Sequence, residues 1–510
     1  MGRFRCTNGA CPHRWHRTVE RAAHCATTTV ATAATAAAQA TTAPTPDIRA
    51  ALNPEAAAAL TDVAAAIDAA GGRAVLVGGA VRDMLLGVDP KDLDIEVSGL
   101  EPDELRQVLV EHTGTAELVG ESFGVYKTRH MGHDFDVTIP RTETSTGRGH
   151  TDFDVSVDPT LDFDDAARRR DFTIGAMGWD PLTGELLDPY DGHRDLEDGV
   201  IRHVDADSFR EDPLRVYRAA RFAARFGFTV DPDTARLCRD MRPDADELPP
   251  ERVWGELAST LQTARRPGEF LRVLRDVGWH DTIPELAACA STPQNPTHHP
   301  EGDVFNHTAH ALDHFGSVVA PRLEPDERLV VGAAVLCHDL GKPSATTTTS
   351  DGRIIAHGHE DAGVEPVRAL LAGRFAQSRL AGRVEPLVRE HLRPLQLANI
   401  DPSDRAVRRL AETVPIRLAV AVAECDAAGR PPIDASDTID RLHRLQERAE
   451  TLGIADRPAV SHVSGRMLID RGMKPGPEFK PILARLREME LDGLIDGPVS
   501  AAAAVDQMLA

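Results

Sequence analysis

The chain has 510 residues, 42% of them hydrophobic, and its 80 acidic side chains outnumber 57 basic ones, giving a net charge of −23 at pH 7. This length exceeds what one core serves, so we expect three or four domains, and the charge argues against indiscriminate nucleic-acid binding over the whole surface. No apolar run reaches the roughly 18 residues of a membrane span, and we expect no secretory signal. Seven scattered cysteines, an odd number, are typical of reduced thiols, so we expect a cytoplasmic protein.

Residues 1–50 are rich in alanine and threonine and predict a disordered extension. Four side chains in this segment offer zinc ligands: Cys6, Cys11, His13 and His16. Because their spacing matches no common zinc finger, we favour an unstructured tail, or a misplaced start codon, over a zinc site.

Residues 51–185 alternate short apolar strands with helices and are interpreted as a head domain. The predicted helices cover 55–70, 81–86 and 102–111, and the predicted strands cover 74–77, 93–97 and a hairpin of 118–130 and 134–139. The stretch 142–158 is rich in Gly, Thr and Asp and predicts a mobile loop.

The segment from Val75 to Val97 holds the strongest signal for chemistry. Gly78 and Gly79 follow a strand, and glycine there lets backbone N–H groups approach a phosphate closely. Asp92 and Asp94 alternate along the next strand and face the same side, where two carboxylates repel each other unless a cation lies between them. Mg²⁺ binds oxygen ligands together with substrate phosphates, so the segment is typical of a nucleotidyltransferase.

A second strand carries two carboxylates on one face, Asp134 and Asp136. Asp136 is the candidate for a third catalytic acid beside the first pair. The alternative is that this face of the strand is merely solvated.

The run 168–171, three arginines and an aspartate, follows the predicted loop and is expected to open a helix over 166–177. Arg170 offers a planar fork of donors for a phosphate or ribose oxygen, and Asp171 can accept a hydrogen bond from a ribose hydroxyl. A structural charge cluster at a helix N-terminus is the alternative, but three basic residues oppose the helix dipole at that end.

Residues 186–290 predict a helical neck, with helices over 213–226, 231–241, 250–263 and 267–277. Near the start of the first of these, Asp212, Arg215 and Arg218 recur every three residues and are expected to share a face. An Asp–Arg pair can select C and A, because Arg donates to a ring nitrogen and Asp accepts from the exocyclic amine, whereas uracil and guanine present the reverse polarity. The alternative is a surface salt bridge between residues three apart.

Residues 291–430 are enriched in histidine and predict a second helical domain. Neutral imidazoles and carboxylates suit transition metals, and the candidate ligands are His307, His338, Asp339, His359, His391 and Asp426. Lys342 is a candidate phosphate contact. His310 and His314 share a helical face with His307 and are interpreted as supporting or surface residues rather than ligands.

Pro431 and Pro432 precede a helical tail, 431–510. A Gly-Pro turn around Lys474 comes before a helix over 479–490 and is suited to a close approach to a phosphate backbone. A simple closure of two helices is the alternative.

Five collinear motifs resemble the class II tRNA nucleotidyltransferase and poly(A) polymerase family: GGAVRD at 78–83, KDLD at 91–94, RRDFTI at 169–174, EDPLR at 211–215 and ERVW at 251–254. Over 295–430 the histidine pattern resembles the HD phosphohydrolase superfamily. The resemblance implies an α+β protein, with a polymerase-beta-like mixed-sheet head followed by all-α neck, HD and tail domains. The tail is similar to the RNA-facing tail of these enzymes.

The resemblance also implies residue roles. Contacts with the incoming nucleotide would come from Gly79, Arg82, Arg170, Asp171, Asp212, Arg215 and Arg218, and Mg²⁺ would be held by Asp92 and Asp94. In the HD domain the core metal ligands would be His307, His338, Asp339 and Asp426, with His359 and His391 extending the site to two metals. Gly175 departs from the family, which usually has Asn there, and the lost contact would loosen nucleotide affinity or sugar choice.

We therefore expect a template-independent enzyme that adds C and A to tRNA 3′ ends, with tRNA, ATP and CTP as partners and Mg²⁺ in the head. One metal would activate the RNA 3′-hydroxyl and a second would bridge the triphosphate, with pyrophosphate leaving. The HD domain would use a transition metal as a phosphatase or phosphodiesterase. The alternatives are a poly(A) polymerase or A-only adding enzyme, an HD phosphohydrolase whose head only docks RNA, and a nucleic-acid-binding module without catalysis.

Overall fold

The computed structural model describes residues 48–119, 124–145 and 153–509, together with the backbone of 4–5 and 15–16. The two short stretches pair as antiparallel strands, β1 (Phe4–Arg5) and β2 (Trp15–His16). Residues 48–50 of the predicted extension belong to a 3-10 turn (Ile48–Ala51). The remaining residues of the extension, including Cys6, Cys11 and His13, lie outside the described residues, so its disorder stays a prediction.

The head is built on a mixed sheet. Its strands are β3 (Arg73–Val77), β4 (Leu93–Ser98), β5 (Glu117–Val119), β6 (Val125–His130), β7 (His133–Thr138), β8 (Arg141–Ser145), β9 (Phe153–Val157), β10 (Gly178–Trp179) and β11 (Leu186–Leu187). β8 and β9 pair with each other, and the other seven form one sheet in the order β11-β10-β3-β4-β7-β6-β5. β4 and β7 run parallel, whereas the other pairs in this sheet are antiparallel.

The helices of the head are α1 (Pro54–Ala69), α2 (Gly79–Leu85), α3 (Pro102–Thr113), α4 (Phe163–Arg168) and α5 (Gly192–Asp198). α1 begins where predicted because the Asn53 side chain accepts the Glu55 N–H at 2.8 Å and a proline occupies the first turn. A capping box between Glu101 and Glu104 starts α3 in the same way. The apolar faces of both helices are buried, which fixes the side of the sheet that stays open for chemistry.

Two predictions for the head are wrong. The helix expected over 166–177 ends at Arg168, and a 3-10 turn (Thr173–Gly175) and β10 follow. The arginines thus lie at a helix C-terminus, where positive charge is favourable, and the chain after them is needed as a strand beside β3. The loop expected over 142–158 contains β8 and β9, while 146–152 lies outside the described residues.

The neck combines a two-stranded parallel pair, β12 (Val200–Ile201) and β13 (Thr229–Val230), with helices. These are α6 (Ala206–Arg210), α7 (Leu214–Phe226), α8 (Pro232–Asp240), α9 (Pro250–Thr263), α10 (Gly268–Asp276) and α11 (Pro284–Ala290). The four helices predicted here are confirmed. Tyr217 and Trp279 pack edge to face at their centre, with ring centroids 5.6 Å apart.

The histidine-rich region and the tail are almost entirely helical. The region contains α12 (Val304–His314), α13 (Pro325–Cys337), α14 (Lys342–Ala345), the strand pair β14 (Thr347–Thr348) and β15 (Ile354–Ile355), α15 (His359–Ala362), α16 (Val364–Arg368), α17 (Ser378–Arg389), α18 (Leu392–Ala398), α19 (Asp404–Ala411) and α20 (Ile416–Ala428). The tail contains α21 (Ser436–Thr451), α22 (Gly465–Ile469), α23 (Phe479–Leu491) and α24 (Pro498–Leu509).

The main hydrophobic core is continuous from Ile48 to Ala455, and a small separate core surrounds Leu468 and Leu486. The α+β prediction is confirmed: a mixed-sheet head precedes helices. The predicted domain boundaries stay a prediction. Of the helices in the described ranges, none has the length and apolarity required to cross a membrane, and the cysteines described there are free and buried (Cys238, Cys289, Cys337 and Cys425).

Candidate functional site

Three carboxylates meet where β4 and β7 run side by side. Asp94 is the register partner of Asp136, and Asp92 lies just before β4. Burial raises the pKa of Asp94, the nearby charges of Asp136 and Asp92 raise it further, and Arg170 opposes them. A divalent cation relieves this kind of mutual repulsion, so the donor set fits Mg²⁺.

The set of three carboxylates borders an open cavity and is not enclosed by the protein. Asp92 and Asp136 line a cavity of about 790 Å³, and Nζ of Lys127 donates to Asp136 at 3.0 Å. Among the described residues, four groups of three His, Cys, Asp or Glu side chains have ligand atoms within 4.8 Å of one another, and these carboxylates are not one of them. The acids therefore lie near one another on two neighbouring interior strands of the sheet, but their oxygens do not converge on one point.

The glycine turn lies between two arginine side chains. Gly78 has φ of 70°, and a Cβ at this position would lie 2.7 Å from Nη1 of Arg170. A Cβ on Gly79 would lie 3.5 Å from Nη2 of Arg82. Only glycine therefore fits at the first position, and the turn presents positive charge on both sides.

Arg82 is almost fully buried, with 6% of its surface exposed. Its Nε and Nη2 donate to Asp83 at 2.9 and 2.6 Å, and its guanidinium lies 4.9 Å from the ring centroid of Phe226. Burial lowers the pKa of Arg82, and the charge of Asp83 counteracts this. Asp83 and Phe226, which the sequence analysis left without a role, hold the guanidinium beside the turn.

Arg170 and Asp171 follow the end of α4, and Arg170 lies against the glycine turn. Arg170 Nη2 lies 3.8 Å from the Glu96 carboxylate. Asp171 is engaged from within the protein, because the Arg218 Nε donates to it at 2.6 Å and the Phe172 N–H donates at 2.9 Å. Burial opposes ionisation of Asp171, but the Arg218 charge and hydrogen bond outweigh it and lower its pKa.

Asp212 and Arg215 do not form the salt bridge that was the alternative to base reading, and their role in base selection stays a prediction. Asp212 precedes α7, where it accepts the Leu214 N–H at 3.1 Å, and its carboxylate is held by both terminal nitrogens of Arg252 at 3.3 and 2.8 Å. Arg215 instead donates to the carbonyls of Ser208 and Arg169 at 2.9 and 2.8 Å. The spacing of three does not pair these residues because one of them is outside the helix.

Arg252 is thus a residue that the sequence analysis missed as a partner. It lies in the ERVW motif, which was noted without any role for its arginine. The two residues are 40 positions apart, so helical spacing could not connect them.

The histidine centre brings all six predicted ligands together in a buried site. They form two groups whose ligand atoms lie within 4.8 Å of one another: His307, His338 and Asp426, and Asp339, His359 and His391. Asp339 lies between the groups. Its Oδ2 is 3.2 Å from Nε2 of His338, and its Oδ1 is 3.3 Å from Nε2 of His359.

The backbone orients the imidazoles. Nδ1 of each of three histidines lies beside the carbonyl of the residue three positions earlier, at 2.7 Å for His338, 2.7 Å for His359 and 2.6 Å for His391. Nδ1 of His307 lies 2.8 Å from Oε1 of Glu301. These acceptors place the proton on Nδ1 and leave Nε2 to face the centre, as in metal-binding histidines.

Three observations show that a metal fits this centre. Nε2 of His307 lies 3.2 Å from Nε2 of His338, and Nε2 of His359 lies 3.3 Å from Nε2 of His391, so lone pairs face each other. Both carboxylate oxygens of Asp339 are buried without an aligned hydrogen bond. Burial lowers the pKa of His391 to about 4, which keeps this imidazole neutral at pH 7.

Residues around the centre hold the ligands in place. Nζ of Lys342 lies 2.7 Å from Asp339 and donates to Gln294 at 2.7 Å. Arg430 donates to Asp426 at 2.7 Å. Sequence reasoning missed Gln294, Arg430 and Glu301, since loop residues carry no periodic signal.

His310 and His314 are outside both ligand groups. His314 lies 3.0 Å from Glu424, and His310 lies 3.4 Å from a terminal nitrogen of Arg272. Within the described part of the chain they therefore agree with the predicted supporting or surface role.

Comparison with known proteins gives three family matches. The poly A polymerase head domain matches residues 74–202, the probable RNA and SrmB-binding site of polymerase A matches 227–289, and the HD domain matches 304–429. The first and third matches contain the carboxylates and the histidine centre, respectively.

The multifunctional CCA protein of Xanthomonas oryzae is 37% identical over 427 residues, covering 81% of this chain and 96% of that protein. The one from Stenotrophomonas maltophilia is 38% identical over 428 residues, covering 81% and 97%.

Two solved structures share the fold. The Thermotoga maritima CCA-adding enzyme complexed with tRNA aligns with a TM-score of 0.59 at 19% identity, over 91% of this chain and 98% of that chain. The Bacillus stearothermophilus CCA-adding enzyme in complex with CTP aligns with a TM-score of 0.62 at 21% identity, over 90% and 98%.

Proposed function

Because the chain belongs to the family of multifunctional CCA proteins, we propose that it adds C and A to the 3′ end of tRNA without a nucleic-acid template. The observation that carries this proposal is the register of Asp94 with Asp136 across two parallel strands, beside a glycine turn flanked by arginines. Its substrates are then tRNA, CTP and ATP.

In the head, Asp92, Asp94 and Asp136 would hold Mg²⁺, which activates a hydroxyl and neutralises phosphate charge when bound. The N–H of Gly79 accommodates a triphosphate oxygen, whereas the N–H of Gly78 already donates to the Met177 carbonyl at 3.2 Å. Arg170, which lies against the turn, offers its donor fork to the same oxygens. The protein orients the triphosphate and neutralises its charge, and it needs no covalent nucleophile of its own.

Base choice is assigned to the Asp212–Arg252 pair together with Arg215 and Arg218. A carboxylate that accepts from an exocyclic amine and a guanidinium that donates to a ring nitrogen fit cytosine and adenine. Uracil and guanine would leave these groups unpaired, which costs about 1–3 kcal/mol for each buried group.

The histidine centre is assigned a phosphohydrolase activity. Its six ligands would hold one or two transition-metal ions, which polarise a phosphoryl oxygen and supply a hydroxide when bound. Lys342, whose ammonium lies at Asp339, is placed to meet a phosphate oxygen. The substrates are phosphate esters at RNA 3′ ends.

The direct test offers the purified protein a tRNA that lacks its 3′ CCA, Mg²⁺, and each labelled nucleoside triphosphate separately. We expect incorporation of C and A with little U or G, and loss of incorporation in Asp92→Ala. Incorporation of A alone would point to the poly(A) or A-only alternative. Full incorporation by Asp92→Ala combined with Asp94→Ala would defeat the assignment.

A further inference from the structure

A histidine and aspartate cluster lies in the head, away from both sites already described. Nε2 of His112 and Nε2 of His130 each lie 2.7 Å from the same oxygen, Oδ2 of Asp62. The two imidazole ring centroids are 5.0 Å apart. The three ligand atoms all lie within 4.8 Å of one another.

The cluster is on the opposite side of the sheet from the catalytic carboxylates. Side chains alternate along a strand, and Lys127 of β6 points to Asp136, so His130, three residues further along, points to the other side. That side is covered by α1, which carries Asp62, and by α3, which carries His112 in its last turn. Each of the three side chains therefore comes from a different element.

The cluster is open to solvent. Asp62 is 51% exposed, His112 33% and His130 16%. An ion can reach such a site without unfolding the head, and water can complete its coordination. In this respect it differs from the buried histidine centre.

The donor atoms of the cluster indicate which type of metal ion it would bind. Two imidazole nitrogens and one carboxylate oxygen suit Zn²⁺ and related ions better than Mg²⁺. Ligand atoms at about 2.0–2.1 Å from a tetrahedral ion lie about 3.3 Å apart. Since each nitrogen is now 2.7 Å from the oxygen, small outward shifts would accommodate the ion.

We propose that Asp62, His112 and His130 bind one divalent transition-metal ion of the Zn²⁺ class, with the fourth position open to water. The ion cross-links α1, α3 and the end of the hairpin that carries Asp136. This inference is independent of the proposed function, because it needs neither nucleotide nor RNA.

The experiment counts metal in the full chain. Protein stripped with a strong chelator is titrated with Zn²⁺ by calorimetry, and Co²⁺ is added in parallel to record its tetrahedral absorption bands. We expect Asp62→Asn and His112→Ala each to bind one equivalent fewer than the unaltered chain. His193→Ala is the matched control, because His193 lies within the same family match, 74–202, with Nε2 3.7 Å from Glu197, and we expect it to retain the equivalent.

The histidine centre provides an internal reference. Asp339→Asn removes a ligand of that centre only, so it should keep the extra equivalent in the head. Because His307, His338 and Asp426 remain as a ligand group in Asp339→Asn, saturating Zn²⁺ should raise the unfolding temperature of Asp339→Asn more than that of Asp339→Asn combined with His130→Ala. Equal metal counts in the unaltered chain, Asp62→Asn and His112→Ala would overturn the proposal.

Discussion

The three carboxylates of the head and the histidine centre differ in how enclosed and how preorganised their ligands are. The head acids border an open cavity, and Lys127 still occupies Asp136. The six ligands of the histidine centre are buried, and backbone carbonyls aim three of the imidazoles inward. From this difference we expect that the histidine centre would hold its ion before substrate arrives, whereas the head would need the triphosphate to complete the coordination of Mg²⁺.

A substitution in the head should impair nucleotide addition strongly while leaving phosphate release intact. Asp94→Asn should lower the rate of C and A addition at least about a thousandfold, because stabilisation of about 4 kcal/mol from the bound ion is lost. Phosphate release by the same protein should stay within about twofold of the unaltered chain. Labelled-nucleotide incorporation and a phosphate assay measure the two activities, and a parallel loss of both would break the comparison.

The converse change acts on the histidine centre. Asp339→Asn should lower phosphate-ester hydrolysis by a similar factor of about a thousand, because the shared carboxylate is removed, while nucleotide addition is retained. The matched control is Asp361→Asn, since Asp361 is 77% exposed on α15 and pairs with Arg389. Strong impairment of hydrolysis in the control would show that the first result does not report on the centre.

Metal should be removed more easily from the exposed carboxylates of the head than from the buried histidine centre. Brief dialysis against a mild chelator should abolish nucleotide addition, with full recovery on adding Mg²⁺, while elemental analysis still finds metal in the histidine centre. Harsher stripping should then lower the unfolding temperature by several degrees, because an ion present at a thousand times its Kd stabilises the folded state by about 4 kcal/mol. Equal loss of both metals in the first dialysis would contradict the idea of a preformed centre.

A smaller effect is expected at the base-selecting pair. Arg252→Leu leaves the half-buried Asp212 without its partner, so the KM for CTP and ATP should rise about tenfold, equivalent to about 1.4 kcal/mol. Discrimination against UTP should fall as well. Arg242→Leu is the control, because Arg242 is similarly exposed and pairs with Asp281 elsewhere in the neck; unchanged KM values in Arg252→Leu would remove the pair from the nucleotide site.

The smallest effect concerns Gly175. A Cβ there would lie 3.7 Å from Oδ1 of Asp171, an ordinary contact, so Gly175→Asn should fold normally. Its amide adds one hydrogen-bonding group beside Asp171 and should lower the KM for nucleotides about twofold to fivefold. Gly175→Ala, which fills the space without the amide, should leave the KM unchanged, and an identical gain in both variants would assign the effect to backbone stiffening.

Local patterns in the sequence located much of the fold. The predicted helix over 55–70 and the predicted helices of the neck lie close to the observed bounds. The helix predicted over 166–177 was wrong because it ends at Arg168 and a 3-10 turn (Thr173–Gly175) then leads into β10, which pairs with β3. The periodicity of a segment does not indicate which distant part of the chain it will contact.

The same limit applies to the sites. All six predicted ligands of the histidine centre come together, because the resemblance to the HD superfamily marks their positions. Arg252 was missed as the partner of Asp212, and Glu301 as the partner of His307, since each contact joins a loop to a distant or irregular position. Donor identity was readable from the sequence, whereas the choice of partner depended on tertiary packing.

The position of Asp339 between its two neighbouring groups has one last consequence. Asp339 directs one carboxylate oxygen toward His338 and the other toward His359. An ion bound to one oxygen would therefore also fix the orientation of the other oxygen for a second ion. We expect the two halves of the centre to fill cooperatively, with singly loaded molecules scarce at any metal concentration. Activity would then rise steeply, rather than gradually, as metal is supplied.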